Sequence, residues 1–141
     1  MAARILALLA VLAVLAAPPG TAAGPAHAAG PTVQDLRRDC ALADNPAGPA
    51  AWTREEQARA VGCVAYLSGV AHVLNLNCRL LRQGEAGGNL PAADIRGTSP
   101  ADLVRDFLAW AGQHPELAGE HESLAGIALV EALPCRVDAP T

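Results

Sequence analysis

From residue 31 onward, apolar positions recur at spacings of three and four, separated by short stretches rich in Pro and Gly. That period lines one face of an α-helix. Val33 to Ala43 reads as a first helix, with Thr32 as N-cap and Cys40 on it. Asn45-Pro46-Ala47-Gly48-Pro49 ends it, because Pro and Gly together cannot prolong a helix. Thr53 caps a second helix, and Glu56, three residues on, completes a capping box. The pattern carries this helix to about Asn77, with Cys63, Leu67, Val70, Leu74 and Cys78 on one face. Gly62, Tyr66, Gly69 and Val73 form a neighbouring stripe. A helix-interior glycine costs about 1 kcal/mol relative to Ala, so Gly62 and Gly69 mark either the close approach of another helix or plain tolerance.

Residues 83–97 show no periodicity and read as a long loop, the kind that in a small domain often carries function. Ser99-Pro100-Ala101-Asp102 opens a third helix: Ser as N-cap, Pro in the first turn, an acid near the positive helix end. Leu103, Val104, Phe107, Leu108 and Ala111 are its buried face, and Gly112 and Pro115 stop it. A last helix, His121 to Leu133, is apolar nearly all round, which fits a core position or half of an interface. No strand pattern or repeat is present. The fold class is all-α: a small, disulfide-stapled bundle of about four helices.

The amino terminus changes the picture. Arg4 precedes an unbroken apolar run from Ile5 to Ala17, shorter than the roughly 20 residues a bilayer span needs. A basic start, an apolar stretch and small residues beyond make residues 1–28 a signal peptide, cleaved after Ala26-His27-Ala28, with Thr21-Ala22-Ala23 as second choice. Residues 29–141 are then one exported domain with no membrane segment. Its four cysteines, Cys40, Cys63, Cys78 and Cys135, are an even set in a short exported chain, which reads as two disulfides. Four cysteines allow three connectivities. Alternating helix directions bring the ends of helices two and four together, which favours Cys78 with Cys135 and leaves Cys40 with Cys63.

Charge and aromatic content exclude some functions. All ten basic residues are Arg, and nine of them lie beyond the leader, against fourteen acids, for a net charge of −5. Nucleic-acid binding needs a basic footprint, and Trp52, Tyr66, Phe107 and Trp110 are too few for a base-stacking platform. The histidines beyond the leader, His72, His114 and His121, share no helical face that could chelate a metal, and no phosphate loop or nucleophile elbow is present. No catalytic set, metal or cofactor is expected. With the thiols oxidised, no cysteine remains as a nucleophile.

One polar stripe stands out. Ser68, His72, Asn75 and Arg79 follow one another at four, three and four residues along helix two. It is either a solvated helix face or a hydrogen-bonding surface for a partner. With Glu85 and Asn89 from the long loop, it makes the candidate partner-binding set. His114-Pro115-Glu116 reads as a helix stop, and His121 between Glu120 and Glu122 as a helix start.

These residues also form a recognisable order: Cys40; Cys63-Val64-Ala65-Tyr66-Leu67-Ser68-Gly69-Val70; Cys78; Ser99 through Trp110 to His114-Pro115-Glu116; and Ala128 to Pro134-Cys135. The chain resembles the Rap/Tai immunity proteins, which neutralise peptidoglycan amidases delivered by type VI secretion. The resemblance spans about Val33 to Arg136. It implies a periplasmic, all-helical, disulfide-stabilised protein, usually a homodimer, that sits over the effector's active site. The motif residues are scaffold, so none is carried over as a contact. The resemblance implies no enzyme. A periplasmic stress or holdase-type binding protein with no dedicated toxin is the rival reading.

Overall fold

The computed structural model describes residues 30–85 and 89–137. The expected signal peptide and its cleavage sites lie outside the described residues. Four α-helices carry the fold: α1, Val33–Ala43; α2, Arg54–Gln83; α3, Pro100–Gln113; and α4, Ala125–Ala132. Three short 3-10 turns, at Pro49–Ala51, Pro115–Leu117 and Glu122–Leu124, join them. No strand is found among the described residues, where two isolated antiparallel bridges, Thr32 with His121 and Ala93 with Pro134, are the extended pairings.

Each of the three longer helices starts with the same device. Thr32 with Asp35, Thr53 with Glu56, and Ser99 with Asp102 form reciprocal capping boxes. In each, the hydroxyl accepts from the N3 backbone N–H while the N3 carboxylate accepts from the cap's own N–H, satisfying donors a helix start otherwise orphans. α2 extends six residues past the expected end near Asn77 and stops at Gly84, whose φ of 70° and N–H bonds to Leu80 O and Leu81 O close it. Only glycine takes that left-handed position without cost. The extension follows from Leu80, Leu81 and Arg82, all good helix formers. The expected start of the last helix is corrected too. His121 caps a 3-10 turn through its Nδ1, which accepts from the Ser123 N–H at 3.2 Å, and α-helical bonding begins at Ala125.

α2 is the hub and touches each of the other three helices. Its buried face is Ala60, Cys63, Leu67, Ala71, Leu74 and Cys78, while Val70, expected there, is half-buried. Phe107, Leu67 and Leu129 fill the centre with Val33 and Val104. Trp110, not foreseen in the core, is buried beside Phe107, and its indole N–H donates to Glu131 Oε2 on α4 at 3.0 Å. No polar or charged residue is buried among those described. At Gly126 an added Cβ would make only an ordinary contact with Val70, at 3.7 Å. Gly62 and Gly69 have no other helix against them: an added Cβ at either would meet nothing within 4 Å.

Two disulfides staple this core, Cys40–Cys63 between α1 and α2 and Cys78–Cys135 between α2 and the segment after α4, with Cα–Cα distances of 5.2 and 5.6 Å. Arg59 reinforces the first, donating to Asp39 across the same pair of helices at 2.7 Å.

Candidate partner-binding site

The described part of the 83–97 segment is not a free loop. It crosses α2 in extended form, Ala93 donating its N–H to Leu74 O at 3.2 Å and Asp94 to Leu133 O at 2.9 Å. Asn77 pins its start by donating to Pro91 O at 2.8 Å. The segment thereby lies between α2 and the strand-like stretch Leu133 to Arg136, which the Cys78–Cys135 bridge holds in place.

Ser68, His72, Asn75 and Arg79 do share one flank of α2. His72 and Arg79 are exposed, Ser68 and Asn75 half-buried. The His72 ring sits over the preceding turn, with Nδ1 2.7 Å from Ser68 O. A carbonyl oxygen can only accept, so Nδ1 is the donor in this contact. Glu85, just past the α2 cap, and Asn89 are both exposed, and no hydrogen bond ties either to the stripe among the described residues. Residues 86–88 between them lie outside the described set.

The stripe does not stop at Arg79. Three residues on, Arg82 continues it and enters an open cleft of about 530 Å³ at the α2 C-terminus. There Asp94 Oδ2 accepts from Arg82 at 2.7 Å and from Arg96 at 2.8 Å, while Arg82 Nε donates to Arg136 O at 3.1 Å. The two guanidinium groups hold the Asp94 carboxyl far below the ordinary carboxylate range, Arg96 contributing most. Sequence reasoning missed this cleft because its residues come from three distant segments. The available signal was the continuation of the three-four spacing to Arg82.

α2 also carries an apolar outer ridge. Val61, Val73 and Leu76 are 67%, 60% and 53% exposed, with Gly62 and Gly69 on the same side. By length and composition alone this helix could cross a membrane, yet it is the hub of the bundle and bears two disulfide partners. Beside the ridge, Ala43, Trp52, Ala60 and Val64 line an apolar cleft of about 320 Å³, where Trp52 Nε1 is buried without a hydrogen-bond partner. The described residues contain no group of three or more His, Cys, Asp or Glu placed to hold a metal.

A family model for the Rap1a immunity proteins matches residues 32–135, from the first N-cap to the last cysteine. The chain belongs to the Rap1a immunity protein family. No curated protein and no solved structure matches it significantly. The Rap1a assignment makes it an immunity protein whose partner is a secreted effector, and the two disulfides with this membership are those of an exported protein. Immunity proteins of this kind act by binding and are generally not enzymes. The Rap1a match begins and ends with the capped, disulfide-closed unit.

Proposed function

We propose that this Rap1a protein is a periplasmic immunity protein that binds and inhibits a peptidoglycan amidase delivered by type VI secretion. The observation that carries the reading is the family match over residues 32–135. The disulfides agree with it, since such bridges persist in an oxidising compartment such as the periplasm. Inhibition by occlusion needs complementary shape and charge rather than reactive groups. The contact surface is the α2 flank of Ser68, His72, Asn75 and Arg79, with Glu85 and Asn89 at its end. The protein acts as a homodimer, whose contact draws on exposed apolar positions such as Ile127 of α4.

A second reading has one observation in its favour. The exposed Val61, Val73 and Leu76 ridge would suit a holdase that binds unfolded clients. Capture from the source cell's envelope and secreted fractions by oxidised residues 29–141 separates the two. Stoichiometric recovery of one peptidoglycan amidase, then inhibited by the protein in an activity assay, is the expected result. Recovery of many unrelated proteins would support the holdase and sink the immunity reading.

A further inference from the structure

The outer face of α2 is apolar, and no described part of the chain covers it. From Val61 to Leu76 the helix contains no Arg, Asp or Glu, and Val61, Val73 and Leu76 are each more than half exposed. Bulk is spread unevenly along this face. Its second half carries Val73 and Leu76 as projections. Its first half is a hollow, where Gly62 and Ala65 are small and exposed, and Val61 and Ala65 rim the apolar cleft of about 320 Å³ backed by Trp52 and Ala43. Gly62, Gly69 and Leu76 recur one heptad apart on one side of the helix. Leu76 therefore stands roughly 21 Å along the axis from Gly62, with Gly69 midway. An added Cβ at Gly62 or Gly69 would meet nothing within 4 Å, so nothing within one copy of the chain fills the depth they leave.

A projection and a hollow on one face, separated by bare backbone, are the two halves of a twofold contact. Turning a second copy about an axis through Gly69 brings each Leu76 to the level of the other copy's Gly62, at the mouth of the cleft. The same turn brings each Val73 to the other's Ala65, and the two Gly69 backbones face each other with no side chain between. It also makes the helices antiparallel, so the acidic first turn of one, with Glu55 and Glu56, lies toward the end of the other that carries Arg79. A parallel arrangement sets like ends together and projection against projection.

We propose that α2 packs against α2 of a second copy, antiparallel and centred on Gly69, with each Leu76 seated in the other's hollow. The inference deepens the homodimer of the proposed function and rests on it, adding the face and the register. The polar flank stays within reach of an effector. Ser68 and Asn75 lie about a third of a turn away from this face, with His72 and Arg79 at its edge.

Sedimentation equilibrium of oxidised residues 29–141 reads the dimer dissociation constant. Leu76→Ala removes the projection and Gly62→Leu fills the hollow, and each should raise the constant at least about tenfold with the far-ultraviolet circular dichroism unchanged. Joined in one chain, the two substitutions should bring it back to within about threefold of wild type, because the bulk has only changed sides of the contact. Loss without that rescue would overturn the proposal. A dimer indifferent to both changes but split by Ile127→Glu would overturn the α2 contact and leave the homodimer standing. A monomer at every concentration would sink contact and homodimer together, with the immunity reading still judged by amidase inhibition. A Leu76→Ala chain that dimerises normally yet no longer captures the amidase would assign this face to the effector and refute the self-contact.

Discussion

Thr32, Thr53 and Ser99 show how much of this molecule is settled by single residues. Each hydroxyl accepts from the N–H three residues on, at 3.2 Å in all three cases. The carboxylate opposite closes the box. Thr53 starts the helix on which every other helix packs, so its loss propagates furthest. Thr53→Ala should lower stability by about 1 kcal/mol, read as a shift of the denaturant midpoint at unchanged slope, with Thr53→Ser close to wild type. These boxes were legible in the sequence because capping chemistry is local, a hydroxyl and an acid three residues apart. Trp110 was not. Nothing in a helical period shows that an indole N–H will find Glu131 on another helix, and so the ring could be taken for a surface residue.

At the scale of elements, α2 organises the bundle, and its two faces differ in how readable they are. The inner face is set by spacing, and Cys63, Leu67, Leu74 and Cys78 are buried as the period requires. The outer flank depends on what crosses it. The segment around Pro91 to Asp94 looked like a loop because its bonds go to Leu74, Asn77 and Leu133, partners far away in the chain. For the same reason the Arg82, Arg96 and Arg136 cleft had no local signature. The glycines taught the converse. Gly62 and Gly69 left close helix approach and plain tolerance both open, and within one copy of the chain the structure, with nothing within 4 Å of a Cβ at either, favours tolerance. The two disulfides link elements unequally, closing loops of 23 and 57 residues. Chain-entropy reasoning gives about 3.5 and about 4 kcal/mol respectively. Replacing both cysteines of the second pair by Ala should therefore lower stability more than replacing both of the first, as measured by equilibrium unfolding of the two double variants.

Over the whole molecule, acid should weaken the fold. Hydrogen bonds from the caps lower the carboxyls of Asp35, Glu56 and Asp102, and the backbone and His114 lower Glu116. Hydrogen bonds from Arg96 and Arg82 lower Asp94 furthest. A carboxyl more acidic when folded than unfolded stabilises the fold fully above its unfolded value, near 4, and loses that contribution as pH falls toward the folded value. Asp106 runs the other way, raised by burial and by Asp102. Five groups against one predict a thermal midpoint that is flat near neutrality and falls steadily from about pH 4 to pH 2. A midpoint that rises over that interval would contradict the hydrogen bonds described here.

The Cys78–Cys135 bridge gives the protein a sense of place. It fastens Leu133 to Arg136 against α2 and so completes the arginine cleft from its far wall. Freshly translated chain in a thiol-rich cytoplasm has no such fastening. With the thiols reduced, the hydrogen bonds from Asp94 N–H to Leu133 O and from Arg82 Nε to Arg136 O are left to hold that wall. The bridge thereby couples the shape of this end of the molecule to the redox state of its surroundings.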